Sequence, residues 1–300
     1  MTPRERVTFA VLAILAAVGA SLLAVIVAKF WSAPGDDLAY WIAGDRLRAG
    51  QPIYATGDAA FAPYAYHYPP PLAQVLAPVT LVVPAVAYLI IYRGLMLLAL
   101  WDLAGRKMLQ MLALLAFVPV AVALRIENVD IFMAMAIVLG LRRWPWIFAI
   151  GTLVKVSPGL GIIYLAMRRR WRDVAVSLLV GGLITGISFA MAPDLWRAWL
   201  DSIAGRADIV GNSLLPVPYT FRVIAGIVFA VAGGVVGQRR GELLLVAGMT
   251  IANPGLAVNG FAVLIAAIPI WRAGPEGLGA AWEPIDRGRA GRRGSVSSAA

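Results

Sequence analysis

The 300-residue chain is 61% hydrophobic and only 14% charged, where a soluble domain carries about 25% charged residues, so a conventional soluble enzyme is excluded. With no cysteine and a single histidine, disulfides, thiolate metal sites and histidine clusters are excluded as well. The net charge of +10 is read as arginine and lysine marking inner loops of a polytopic membrane protein, rather than as a nucleic-acid footprint.

In chain order, Arg4 and Arg6 precede an uncharged run from Val7 to Ala28, a spanning helix with its start inside. An outer loop over 30–83 follows, its core the polar-aromatic stretch 35–71. It opens with Asp36 and Asp37, continues as an amphipathic surface helix over 38–49, and closes on Tyr64, Tyr66, His67, Tyr68 and Pro69 to Pro71. Residues 72–83 are apolar but interrupted by Pro78, an approach segment. A second span covers 84–104 and ends at Arg106 and Lys107. A third, 108–124, meets the polar knot Arg125-Ile126-Glu127-Asn128-Val129-Asp130, and 131–141 returns to Arg142 and Arg143.

The segment 144–167 is read as a hairpin. As one helix it would bury Lys155 at mid-membrane, costing about 2.5–3.5 kcal/mol, and would place one basic flank outside. As a hairpin it keeps both flanks inside with Lys155 at the tip. Each arm is then about 16–18 Å long at the helical rise, short of a hydrocarbon core of about 30 Å. The tip and the 125–130 knot therefore share a sunken polar site, which is tolerated where the backbone lines a cavity. A span over 174–191, an outer loop over 192–220, a span over 221–237 and a hairpin over 242–271 turning at Asn253-Pro254 complete the chain. The expected organisation is a single domain over 1–271, all-α with about ten membrane segments, and a cytoplasmic, disordered tail over 272–300.

Several residues carry chemistry on this reading. Asp36 or Asp37 can serve as a general base on a hydroxyl, or can cap a helix N-terminus. Lys155, an intramembrane cation, suits a lipid phosphate or a salt bridge to Glu127 or Asp130. Arg125 has the same two readings. His67 either binds sugar or phosphate or is structural. Tyr40, Tyr66 and Tyr68 can stack on sugars or belong to an interfacial belt. Arg93, inside the second span, faces a cavity or pairs with an acid. No phosphate-loop, dinucleotide or zinc-protease motif occurs.

The order of these features resembles glycosyltransferase family 87, the polyprenyl-phosphate-mannose-dependent mannosyltransferases of GT-C type. Asp36 with Tyr40 is similar to the family's Asp-x-x-x-Tyr, and Tyr66, Tyr68, Pro69 and Pro70 to its Tyr-Pro-Pro loop. Glu127-Asn128-Val129-Asp130 stands where the family has Gly-Gln-Val-Asn. Lys155 and Pro158 resemble its Lys-x-x-Pro, Asn212-Ser213-Leu214 its Asn-x-Ser-Leu, and Asn253-Pro254 its late Ser-Pro turn, with Asn259 near the position of a family histidine.

The resemblance implies a GT-C-like bundle that moves a sugar, mannose by family habit, from a polyprenyl-phosphate donor to a lipid or glycan acceptor on the outer face, with inversion. Asp36 or Asp37 would be the base. Lys155, Arg125 and His67 would hold the donor phosphate, and Tyr40, Tyr66, Tyr68, Asn128, Asp130 and Asn212 would contact sugar or acceptor. Neither a metal nor another cofactor is expected, and membrane lipids are the surrounding partners. Two other readings stand beside it: a polyprenyl-lipid transporter or flippase, for which broken helices and buried charges also serve, and an inactive relative.

Overall fold

The computed structural model describes residues 2–29, 35–54, 64–204, 214–215, 217–254 and 256–279. All regular structure among them is helical. Helix α1 (Pro3–Lys29) covers the expected first span. Its apolar side chains Val7, Phe9, Val11, Ile14 and Val18 are exposed, as in a helix bathed in lipid. It lies so close to α5 (Met108–Leu115) that a Cβ on Gly19 would sit 1.7 Å from the Leu112 carbonyl oxygen.

The outer-loop helix, α2, runs from Asp36 to Arg48 and so starts on the two acids rather than after them. It packs on α3 (Pro70–Val82) where Gly44 meets Leu76. Pro78, expected to break the approach segment, sits inside α3. A proline removes one intrahelical bond, and packing against α2 carries the helix through. Helix α4 (Ala85–Leu103) matches the second span. The third span is a bent pair, α5 and α6 (Val118–Arg125), meeting at 84°. Pro119 in the first turn of α6 favours a helix start there and prevents α5 from running on.

Helix α7 (Asp130–Arg142) begins at the end of the polar knot. The hairpin over 144–167 forms as α8 (Ile147–Thr152), a 3-10 turn at Ser157–Gly159, and α9 (Leu160–Met167). A Cβ on Gly161 would lie 2.4 Å from the Phe148 ring, and one on Gly151 would lie 2.9 Å from Pro158, so the two arms are locked flank to flank. Lys155 lies at their junction. Helix α10 (Trp171–Met191) follows, then α11 (Pro193–Ala204), an amphipathic helix within what was expected to be plain outer loop. Helices α12 (Tyr219–Val236) and α13 (Gln238–Ile251) pack through facing glycines, Gly233 on Gly241. The late hairpin returns as a 3-10 helix over Val258–Ala266 and α14 (Ala267–Arg272).

Among the described residues, α4, α10 and α12 are long and apolar enough to cross a membrane, and the bent α5–α6 pair would make a fourth span. The protein is an all-helical membrane protein. Residues 273–279 are ordered on the bundle: Leu278 is buried, and Glu242 accepts hydrogen bonds from the Leu278 and Gly279 N–H groups at 2.7 Å each.

The bundle has two chemically distinct ends. One gathers basic connections, with Arg106, Arg142 and Arg272 lining one cavity and Arg168 to Arg170 another. Pro145 and Trp146 share the second cavity with Arg168 to Arg170, so both flanks of the 144–167 hairpin lie at this end. The turns at 35–37, 125–130, 155 and 253–259 meet in a separate cluster.

Candidate active site

The start of α2 is pinned to the α6–α7 turn. The Asp36 N–H donates to the Ile126 carbonyl at 2.8 Å. Gly35 is pressed so closely that a Cβ there would stand 1.8 Å from Glu127 Oε2 and 2.4 Å from Ile126 O. Its φ of −105° is open to any residue, so glycine is required here by space. Glu127 takes the left-handed conformation, with φ 52°, in the very turn where the family pattern has glycine.

The two acids part company at this junction. Asp37 is fully buried. Its Oδ1 accepts from the Gly35 and Leu38 N–H groups at 3.2 and 2.9 Å, and its Oδ2 accepts from Arg93 Nε at 3.0 Å. Arg93 Nη2 lies 3.4 Å from Glu127 Oε1, so one guanidinium ties α4 to both α2 and the knot. Asp37 thus serves the helix N-terminus and a buried ion pair. Asp36 is only partly buried, and one of its oxygens, Oδ2, accepts from Asn128 Nδ2 at 2.7 Å. Burial raises the Asp36 carboxyl above the usual carboxylate range, against the Asn128 bond and the Lys155 charge, which lower it. Glu127, in the turn outside the helices that could cross a membrane, is pushed up to about 8 by burial and by the charge of Asp37.

Asn128 is the bridge. While its amide nitrogen donates to Asp36, its oxygen accepts from Lys155 Nζ at 3.2 Å and from the Asp130 N–H at 3.2 Å. A carboxylate and an ammonium are thereby held on opposite ends of one side chain. Lys155 also donates to Asp130 Oδ1 at 2.6 Å, which bears out the salt-bridge reading for this cation. An ammonium has three donors, so one N–H of Lys155 is left for another acceptor. Asp130 is fully buried and receives two further donors, Asn253 Nδ2 at 3.0 Å on Oδ1 and Asn259 Nδ2 at 2.8 Å on Oδ2. Arg222 on α12 stabilises this late turn by donating to the Asn253 and Pro254 carbonyls at 2.8 and 3.0 Å.

The remaining expected residues fall around this centre. Tyr40 is buried, and its hydroxyl meets that of Tyr68 at 2.8 Å. Buried Tyr66 donates to the Pro69 carbonyl and accepts from the Ala73 N–H, so it folds the aromatic-proline run onto the start of α3. Tyr68 is half-buried and lies beside Tyr40 and Tyr66. His67 is exposed, and its carbonyl accepts from the Trp199 indole at 3.3 Å, joining this run to α11. Arg125 is exposed at the end of α6, and its charge acts on Glu127. Asn212 lies outside the described residues.

Sequence reasoning assigned no site role to Asn253, Asn259 or Arg222, and left the partner of Arg93 open. The Asn253-Pro254 turn and Asn259 were visible as motif positions, but nothing in the sequence alone tied them to Asp130.

The arrangement sets an open carboxylate beside an ammonium, on turns carried by apolar helices. Comparison with known families decides the class: the chain matches the model of glycosyltransferase family 87 over residues 66–282. The chain belongs to glycosyltransferase family 87. It is a membrane glycosyltransferase, an enzyme that uses a sugar donor and an acceptor. The match takes in the Tyr-Pro-Pro run, the knot, Lys155 and the late hairpin of this glycosyltransferase. Asp36 and Asp37 lie upstream of it and join the site through the hydrogen bonds above. No curated protein and no solved structure matches the chain.

Proposed function

We propose that this glycosyltransferase moves a sugar, mannose by its family resemblance, from a polyprenyl-phosphate donor to a hydroxyl of a lipid or glycan acceptor, within a GT-C-type bundle of about ten membrane segments. The excess of arginine at the end carrying residues 106, 142 and 168–172 supports placing that end in the cytoplasm. The chain start and residues 272–300 then lie inside, and the Asp36 site faces the outer side.

The observation that carries the mechanism is the Asn128 bridge between Asp36 and Lys155. Asp36 has an oxygen available, while both oxygens of Asp37 are engaged, so Asp36 is the base. It takes the acceptor hydroxyl proton as the acceptor oxygen attacks the anomeric carbon. The bond from that carbon to the phosphate oxygen breaks, and the configuration inverts. The leaving polyprenyl phosphate carries the electron pair, and the free N–H of Lys155 meets its charge. Arg125, exposed beside the knot, supplies a second cation. His67 and Tyr68 belong to the outer rim, where sugar and acceptor are held. Tyr40, Tyr66 and Asp130 act behind it as the packed wall that fixes Tyr68 and Lys155.

The test uses purified protein in nanodiscs with radiolabelled polyprenyl-phosphate-mannose and a membrane lipid extract. Transfer by wild type, abolished in Asp36→Asn and Lys155→Ala, is the expected result. Transfer that survives Asp36→Asn would remove Asp36 as the base. Donor binding without transfer by wild type would favour the flippase reading over catalysis.

A further inference from the structure

At the arginine-rich end lies a cavity of about 700 Å³ that the transfer chemistry does not use. Its wall includes Arg168, Arg169, Arg170 and Arg172, with Trp146 and Trp171 beside them. Three acids also line it. Asp173 is neutralised by Arg170 at 2.6 Å, Glu242 is occupied by the Leu278 and Gly279 N–H groups, and Glu276 is exposed. Arg169 and Arg172 are exposed, and among the described residues neither side chain makes a hydrogen bond or ion pair. The N-terminus of the 21-residue helix α10 opens into the same space through Trp171 and Arg172. Such a terminus adds partial positive charge and free N–H groups.

A solvated basic loop would have these charges and nothing more. Here the cavity continues into an apolar stripe. Val176 lines it, and Leu179 and Leu183 follow on the same face of α10 at spacings of three and four residues. All three are exposed on a helix long and apolar enough to span a membrane. Trp171, exposed at the top of that stripe, is the side chain a membrane interface recruits. Cations, helix N-terminus, interfacial tryptophan and apolar track are thus in the order of a lipid read from head to tail.

We propose that this cavity binds the phosphodiester headgroup of an anionic phospholipid, with Arg169 and Arg172 on the phosphate and one acyl chain along Val176, Leu179 and Leu183. The proposal is independent of the catalytic assignment. It places a fixed lipid at the end of α10 opposite Ser188, whose carbonyl takes the Gln74 side chain of α3.

The experiment compares wild type, Arg169→Gln/Arg172→Gln and Arg143→Gln in detergent. Native mass spectrometry reads binding of phosphatidylglycerol and phosphatidylcholine, and calorimetry reads inorganic phosphate. Arg143, packed on Trp144 outside the cavity, is the control for general surface charge. At about 1 kcal/mol for each basic residue near a membrane surface, the double variant should bind phosphatidylglycerol about thirtyfold more weakly. Arg143→Gln should bind it as wild type does, and phosphatidylcholine should bind weakly to all three. A Leu179→Gln variant, which keeps every charge, should also lose phosphatidylglycerol. An equal loss in Arg143→Gln, no loss in the double variant, or inorganic phosphate binding as tightly as the lipid would each overturn the proposal.

Discussion

Replacing Gly35 by alanine adds a single methyl group where α2 meets the α6–α7 turn. The new Cβ would stand 2.4 Å from the Ile126 carbonyl oxygen, and ordinary contact begins at 3.4 Å, so that gap must open by about 1.0 Å (3.4 minus 2.4). Glu127 Oε2, at 1.8 Å from the same point, must move further, but it ends a side chain that can rotate. The Ile126 carbonyl is backbone, and it also accepts the Asp36 N–H at 2.8 Å. An opening of 1 Å would stretch that bond beyond hydrogen-bond range and draw Asp36 away from Asn128. Overpacking of this kind costs about 1–3 kcal/mol of stability, and a 1 Å misplacement of a reacting group costs about 100-fold in rate. Sugar transfer in nanodiscs would be measured alongside thermal unfolding, with Gly94→Ala as the control, because a Cβ at Gly94 meets nothing within 4 Å. Gly35→Ala is expected to lose about 100-fold in kcat while remaining folded. A Gly35→Ala protein with wild-type kcat would refute the claim that this junction sets the position of Asp36.

Further outcomes follow from the same contacts. Asp36→Asn should lower transfer by about 10²- to 10⁴-fold with little change in melting temperature. Asp37→Ala should instead destabilise by about 3–5 kcal/mol, because it removes the carboxylate bound to buried Arg93; equal melting temperatures for the two variants would sink this division of labour. Because burial raises Asp36, its base form is lost as pH falls through a value above the ordinary carboxylate range, and transfer should fall with it. Asn128→Ala removes a bond that lowers Asp36, so the acid limb of the pH–rate profile should move to higher pH, and an unmoved limb would contradict the bridge. Glu127, with a folded value of about 8 against an ordinary 4.5, makes the folded state hold an extra proton between the two, so stability falls as pH rises across that window. Glu127→Gln should flatten the slope of melting temperature against pH, and an unchanged slope would show that another group causes it.

Much of this centre was legible because charges are rare in an oily chain. Lys155 stood out between two basic flanks, and the cost of burying it together with those flanks predicted the hairpin that α8 and α9 form. The knot at 125–130 and the acids at 36–37 were visible for the same reason. Which acid does what was not legible, since Asp36 and Asp37 are neighbours whose roles depend on α4 and the α6–α7 turn lying against the start of α2. The convergence of Asn253 and Asn259 on Asp130 joins residues more than a hundred positions apart, and no local pattern encodes it. The smooth path of α3 through Pro78 and the helix at 193–204 were missed because tertiary packing overrides local composition there.

Asp130 takes side-chain donors from three residues, Lys155, Asn253 and Asn259, and only the lysine is charged. On the proposed mechanism the third N–H of Lys155 meets the phosphate, and should that pull the ammonium off Asp130, the two asparagine amides stay on the carboxylate and the buried anion keeps its donors. The lysine is held in readiness as an exchangeable cation, and its release is cushioned. On the proposed mechanism, in which a lipid phosphate is gripped and then released, the uncharged asparagines would make that grip reversible.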